Sequence, residues 1–493
     1  MNESGRARVA ERSLWLTCVA CAIPGLLALG DSSPTRVALS IALAFVPYAV
    51  SVALADALAP ARAERLAMLS ALCAGMVLAF APAALSDDLY RYLWDGRVLG
   101  HGLDPYARAP SDPTLAPLRD ELWTHINHRE LRTIYPPVAQ GLFALCDKLA
   151  HTPVALKLAM LAGHLIAIRA VSLLAPQQAS RAIVAYALNP LALSESALNG
   201  HVDVLAGAAL AFAVLGLTTR RELKASLTIA IATGTKLVGL LLLPLSARLG
   251  FKRFALTGVA CLLVLSPMLV PRPAASSGAM QYAQRWRGND ALFGVIEAGV
   301  AHGLTLFAND DERARGHLRL AFAAPFLSHA RGTAFDPWAQ ADAERREVPD
   351  RADFEIPFLA GLLARGAVLS LALGLAIGLA LSRLSILGAA RFTVLGALLL
   401  APQIHPWYLL WLLPLEAAAG GLGGMTWSVS VLVAYAPLDL WQRARIWNES
   451  SLAKLCEFGL VGLVFLVEAR LFNRERPEQH AGLSTLPDRP GAP

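Results

Sequence analysis

The sequence predicts an all-α, polytopic integral membrane protein, and three observations carry that prediction. Charged residues make up 16% of the 493-residue chain, against about 25% in a soluble domain. Hydrophobic residues make up 56%, and the mean hydropathy is +0.50. Most apolar runs approach the roughly 20 residues that a helix needs to cross a hydrocarbon core, which excludes a barrel of short alternating strands.

The formal net charge of +6 sits mainly in short inter-helix loops and at the chain ends, where insertion topology demands basic residues. It is no nucleic-acid footprint. Cys18, Cys21, Cys73, Cys146, Cys261 and Cys456 lie mostly inside apolar runs without metal-ligand spacing, and they read as small core residues.

The first apolar stretch, about 14–29, lacks a small-residue cleavage site and reads as an uncleaved helix. Two more follow at about 37–58 and 66–85. Arg6, Arg8 and Arg12 precede the first, Arg62 and Arg65 separate the second and third, and the loop near 31–36 is nearly neutral. By the positive-inside rule the N-terminus is cytoplasmic, and the chain emerges on the extracytoplasmic side at Ser86.

Residues 86–153 form a first large loop that opens with SDDLYRYLWDGRVLGHGLDPYARAP. Asp87 and Asp88 stand directly after an apolar run, and charges at a membrane edge are rarely kept without a partner or a task. A local reading competes: Ser86 as helix N-cap, both aspartates in the first turn, and Asp87 paired with Arg91. The segment between Ser86 and His151, with LRDELWTHINHRE in its middle where apolar residues recur at helical spacing among charges, is expected to contain interfacial helices.

Residues 154–270 hold helices near 154–175, 182–194, 201–217 and 254–270. Between them lies SLTIAIATGTKLVGLLLLPLSA, with Lys224 before it and Arg248, Lys252 and Arg253 after it. Both flanks favour the cytoplasm. A hairpin turning near Thr233 to Lys236 satisfies them and holds Lys236 at depth, where non-helical backbone is tolerated only if it is buried or lines a cavity. A single span with one basic loop outside is the alternative.

Residues 271–355 form a second extracytoplasmic segment, too long and varied for a linker. Apolar runs near 356–381, 391–402, 407–419, 425–438 and 452–471 fill a C-terminal region, 356–476, and bring the expected total to about 13–14 spanning or half-spanning helices. Arg383 and Arg391 mark an inner loop, and Arg470, Arg474 and Arg476 a cytoplasmic end. The polar tail, 477–493, reads as disordered. No internal repeat suggests a transporter of two symmetric halves.

On this topology the rare polar residues converge on the outer face: Asp87, Asp88, Tyr135, Glu195, Asn199, His201, Asp203, Lys236, Arg285, Arg287 and His405. Each has an ordinary role open to it. His201 and Asp203 could cap the next helix, Lys236 could snorkel, Arg285 and Arg287 could be solvated loop charges, and His405 could end a helix. Together they fit sugar transfer from a lipid phosphate. The leaving phosphate departs as an anion, which Lys236 with Arg285 or Arg287 stabilises. A carboxylate, Asp87 first and Asp88 next, takes the proton of the acceptor hydroxyl as attack inverts the anomeric carbon. Tyr92, Trp94, Trp286, Trp407 and Tyr408 offer ring faces to sugars or polyprenyl chains, although aromatic residues are also common at interfaces.

SDDLYRYLWDGRVLGHGLDPY, TIYPPVAQ, NGHVDVLAGAALA, TGTKLVGLLLLPL and QIHPWYLLWLLPL carry a resemblance to the GT-C superfamily of membrane glycosyltransferases. More narrowly, the chain resembles the bacterial polyprenyl-phosphate-mannose-dependent mannosyltransferases and their family-87-like relatives. The resemblance spans about residues 85–415. It implies a multi-pass fold of the bacterial inner membrane with an extracytoplasmic active site, a catalytic acid in the first large loop, here Asp87 or Asp88, and a polyprenyl-phosphate sugar donor.

It further implies a glycan or glycolipid acceptor and no nucleotide-sugar domain. Tyr135, His201, Asp203, His405 and Trp407 are the expected sugar or acceptor contacts. Two positions depart from the pattern: Val202 stands inside GHVD where relatives often carry HND, and Val238 and Gly239 follow Lys236 where a proline often comes.

The expected activity is inverting transfer of a sugar, most simply mannose, with donor, acceptor and membrane lipids as partners. A lipid-linked-sugar flippase would use the same cations, and a phosphotransferase acting on lipid A or phospholipid would leave phosphate in its product. No cofactor is expected. A divalent cation stays open but is not indicated, because Asp87 and Asp88 lack further hard ligands and neighbouring helical side chains diverge by about 100°.

Overall fold

The computed structural model describes residues 3–270, 272, 278, 281–282, 286–323 and 352–481. The chain opens with three long helices, α1 (Glu3–Leu29), α2 (Pro34–Leu54) and α3 (Pro60–Phe80), with α1 packed on both others. Proline opens α2, α3, α5 (Pro137–Leu149) and α6 (Pro153–Leu174), where its missing N–H costs nothing and its fixed φ suits the first turn. Pro82, after α3, ends that helix by the same chemistry.

Extended backbone then leads into α4 (Asp88–Gly100), with Asp87 at its N-cap position. The local pairing expected from sequence is replaced. The Ser86 hydroxyl accepts the Asp88 N–H at 3.3 Å, and Arg91 turns away to bond Asp95 at 2.9 Å and the Leu131 carbonyl at 2.9 Å. Trp94, Val98, Leu115 and Ile126 make a small core under the loop. The helices of the loop are α4 and α5, and between them LRDELWTHINHRE carries a 3₁₀ turn, Leu122–His125. Arg119 bonds the carbonyls of Ser111 and Asp112, and Asp120 accepts the Trp123 N–H, so side chains hold this backbone where a helix ladder would.

Next come α7 (Ala179–Ala187), α8 (Pro190–Leu193), a π-helical turn over Ser194–Leu198, and α9 (Asp203–Thr218). The core sits here: α6, α7 and α9 are apolar on almost every side. Gly207 of α9 touches the backbone of residues 406–411, and a Cβ there would lie 2.0 Å from the Leu410 carbonyl oxygen. Only glycine permits that approach.

Helix α10 (Glu222–Thr235) stops at Lys236, whose backbone is extended, and the chain continues as 3₁₀ segments Leu237–Leu242 and Pro244–Leu249. Gly239 folds back onto the backbone of Thr233. Arg248 then bonds the carbonyls of Leu379, Ala380, Ser382 and Leu384. Beyond α11 (Phe251–Leu269) come α12 (Phe293–Phe307), α13 (Asp310–Arg315) and an antiparallel pair of three-residue strands, β1 (His317–Arg319) and β2 (Asp353–Glu355).

The C-terminal part comprises α14 (Ile356–Leu381), α15 (Ile386–Leu400), a 3₁₀ run Pro406–Trp411, α16 (Leu413–Ala419), α17 (Gly423–Ser430), α18 (Pro437–Ala444) and α19 (Ser451–Ala481). Buried Arg391 bridges Glu416 at 2.6 Å and Glu468 at 3.0 Å, tying α15, α16 and α19 together. Among the described residues six helices are long and apolar enough to cross a membrane: Glu3–Leu29, Pro34–Ala57, Pro60–Phe80, Pro153–Leu174, Phe251–Leu269 and Ile356–Leu381. Shorter apolar helices, such as Asp203–Thr218 and Ile386–Leu400, pack among them.

Candidate active site

Where α3 gives way to α4, a cavity of about 600 Å³ opens, and Asp87, Asp88, Tyr135, Lys236, Arg287, His405 and Trp407 all reach its wall. Five separate chain segments supply these residues. The segment carrying Arg287 is fixed to the one carrying His405 by a short parallel bridge: Gly288 N–H bonds the Pro402 carbonyl at 3.2 Å, and Ile404 N–H bonds Gly288 at 3.0 Å.

Lys236 owes its place to the break after α10. Its Nζ is 3.3 Å from Asp203 Oδ2, 5.0 Å from the centre of the Tyr135 ring and 5.7 Å from that of Tyr408. Asp203 is wholly buried behind the wall, and its other oxygen accepts the Trp411 indole N–H at 2.9 Å. One carboxylate thus balances the lysine while leaving ammonium hydrogens for a ligand.

Asp88 faces Lys236 across Tyr135, whose hydroxyl donates to Asp88 Oδ2 at 3.4 Å. Asp88 lies on α4, outside the membrane-crossing helices. Loss of water raises its pKa to about 7, Asp87 adds to the rise, and Lys236 opposes it. Burial also raises Asp87, against its own backbone N–H and the Asn127 amide that donates to it.

His201, Trp407 and His405 form a stack, with ring centres 3.9 Å apart for the first pair and 4.1 Å for the second. His405 and Trp407 line the cavity; His201, fully buried, stands behind them. Tyr282 closes another side, its hydroxyl 3.0 Å from that of Tyr408.

Of the residues singled out from sequence, Asp87, Asp88, Tyr135, Lys236, His405 and Trp407 meet at the cavity, with His201 and Asp203 directly behind it. Arg287 reaches the wall with its guanidinium engaged by Glu297 and, at 3.6 Å, by Asp290. Arg285 lies outside the described residues. Sequence reasoning passed over Asn127, Arg132, Tyr282, Gln403, Trp441 and Arg445, all of which line the cavity. Arg445 ends α18 with a φ of 57°, which is uncommon for a side-chain-bearing residue and marks a constrained position. Among the described residues, no group of three or more His, Cys, Asp or Glu side chains is arranged to hold a metal ion.

An apolar helical bundle that encloses carboxylates, a lysine and stacked rings is built as a membrane-embedded enzyme. Residues 13–252 match the model of the MptA/B family, described as the alpha-(1->6)-mannopyranosyltransferase N-terminal domain, a family of polyprenyl-phosphate-mannose-dependent membrane mannosyltransferases. The match takes in Asp87, Asp88, Tyr135, His201, Asp203 and Lys236. No curated protein and no solved structure matches the chain.

Proposed function

We propose that this mannosyltransferase moves mannose from polyprenyl phosphate to a hydroxyl of an envelope glycan or glycolipid, with inversion, at the extracytoplasmic face of the bacterial inner membrane. One observation carries the reading: a carboxylate raised to about 7 and an ammonium group flank the Tyr135 ring in a single cavity. The positive charges support the outward orientation, since Arg6, Arg8 and Arg12 lie in the N-terminal part of α1, and Arg62 and Arg65 in the first turns of α3, at the opposite end of that helix from Asp88.

In this mechanism the acceptor oxygen attacks the anomeric carbon as its proton passes to Asp88. The bond from that carbon to the phosphate oxygen breaks on the opposite side, and the negative charge gathering on the phosphate is stabilised by Lys236. Asp88 is assigned as base ahead of Asp87, because a pKa near 7 matches proton transfer at neutral pH and because Asp87 is already held by Asn127. His405 presents its outer ring face and Trp407, covered on both faces by the stack, its edge to sugar, with Tyr135 between base and lysine. Arg287 completes the phosphate side on condition that the donor draws it from Glu297, and Arg285 is kept as a phosphate ligand on the sequence reading alone.

Purified protein given polyprenyl-phosphate mannose and a mannosyl glycolipid tests the proposal by product mass. A new glycosidic bond is expected. Lipid translocation without one favours a flippase, and added phosphate favours a phosphotransferase; either result contradicts the proposal.

A further inference from the structure

Glu195 takes no part in the mechanism above, yet it contacts Tyr435, Asn199 and His201 around the site. It is wholly buried in the π-helical turn, a feature frequent at functional sites, and it does not reach the cavity. Its Oε1 accepts the Tyr435 hydroxyl at 2.7 Å from the opposite wall. Its Oε2 accepts the Asn199 amide at 3.1 Å, and Asn199 in turn accepts the Leu85 N–H at 3.1 Å, just ahead of Asp87 and Asp88. The same Oε2 lies 3.5 Å from His201 Nε2, and His201 Nδ1 lies 3.9 Å from Asp88 Oδ2.

His201 therefore stands between two carboxylates, fully buried, with neither ring nitrogen hydrogen-bonded. Stacking on Trp407 holds its plane. A buried imidazole with two unmet polar atoms is costly unless partners close on it, and hydrogen bonds of catalytic groups are often long before substrate binds.

The donor inventory fixes the direction. Asn199 has its oxygen committed to Leu85, so its amide nitrogen must face Glu195, and Tyr435 offers a hydroxyl. A carboxylate receiving these donors is the acceptor toward His201 as well.

We propose that Glu195 is a positioning residue for transfer: it accepts the Nε2–H of His201 and so fixes the tautomer whose Nδ1 lone pair faces Asp88. When Asp88 takes the acceptor's proton, its new O–H donates to that lone pair. The base is thereby held protonated until product departs. No bond to carbon involves Glu195 or His201, and the proton stays on Asp88 until water or the released phosphate removes it.

This inference rests on the assignment of Asp88 as base, and its test separates the two. The acid limb of kcat/KM is measured for wild type, Glu195→Leu, Glu195→Asp and Asp88→Asn, using the acceptor that the wild type glycosylates. Leucine removes the acceptor from His201 Nε2, so the ring proton moves to Nδ1, where ionised Asp88 is the remaining acceptor. A donor there favours the carboxylate, so the acid limb shifts to lower pH, and kcat falls about tenfold to a hundredfold with little change in donor KM. Asp87, Asp203, Lys236, His405, Tyr135 and Tyr435 face this pair and are unchanged in the variant, so the shift reports the tautomer and the lost charge of Glu195.

Glu195→Asp keeps the acceptor and returns the limb toward its wild-type position. If Glu195→Leu does not accumulate folded, His201→Phe preserves the stack on Trp407, removes the lone pair and moves the limb the same way. A limb unmoved in the folded variants overturns this inference alone. Full turnover by Asp88→Asn overturns the base assignment beneath it.

Discussion

Lys236 Nζ and Asp203 Oδ2 are 3.3 Å apart, the lysine at the cavity wall and the aspartate sealed behind it. The pairing explains how a cation is kept at a membrane-embedded site: Asp203 supplies the counter-charge, and the Trp411 indole supplies its second hydrogen bond. Asp203→Ala leaves the ammonium group unbalanced, while Lys236→Ala leaves a buried carboxylate with the indole alone. Each single change is expected to destabilise the folded protein by about 3–5 kcal/mol, and the double change by less than the sum. Thermal unfolding in detergent checks this, and additive losses would argue against a coupled pair.

Lys236 and Arg287 both reach the cavity, but they differ in what already holds them. Glu297 and Asp290 engage Arg287, whereas Lys236 keeps hydrogens facing the space. Lys236→Met is accordingly expected to lower kcat/KM for polyprenyl-phosphate mannose by about a hundredfold, with Arg287→Met costing clearly less. Steady-state kinetics on both variants decides the order, and equal losses would make Arg287 a full partner to the phosphate.

The raised Asp88 carboxyl sets the pH response. A base works only when ionised, so kcat/KM should fall as pH drops through about 7, where an ordinary aspartate would hold activity down to about 4. Stability runs the other way. The folded state holds this proton more tightly than the unfolded chain, so stability declines as pH rises from the unfolded pKa toward 7. Asp88→Asn removes that decline, and thermal scans at acid and neutral pH measure it.

Gly207 offers a test of packing apart from chemistry. A Cβ there meets the Leu410 carbonyl oxygen at 2.0 Å, in the same 3₁₀ run that carries Trp407. Gly207→Ala should cost about 1–3 kcal/mol as the backbones are forced apart. It should also slow transfer by displacing Trp407. An unchanged melting temperature would mean that the two segments yield freely.

The sequence made the chemistry more legible than its partners. Asp88 and Lys236 stood out because each interrupts an apolar run, and a charge at that depth is conspicuous whatever surrounds it. Arg287 did not reveal its engagement, because Glu297 is ten positions away and Asp290 reads as an ordinary loop acid. LRDELWTHINHRE imitated an amphipathic helix, yet side-chain bonds from Arg119 and Asp120 stabilise a tighter path that periodicity does not register. Asn127 falls inside that stretch, so periodicity does not register its approach to Asp87 either. Arg445 comes near Asp87 only through the turn that ends α18, a consequence of tertiary packing.

The central claim, that Asp88 is the base of a mannosyl transfer, is tested most directly by one assay. Wild type and Asp88→Asn, both shown to be folded in the membrane, are given polyprenyl-phosphate mannose and the same mannosyl glycolipid, and the mannosylated product is measured by mass spectrometry. The account requires product from wild type and a loss of about a hundredfold or more in the variant. Undiminished product from Asp88→Asn would contradict it.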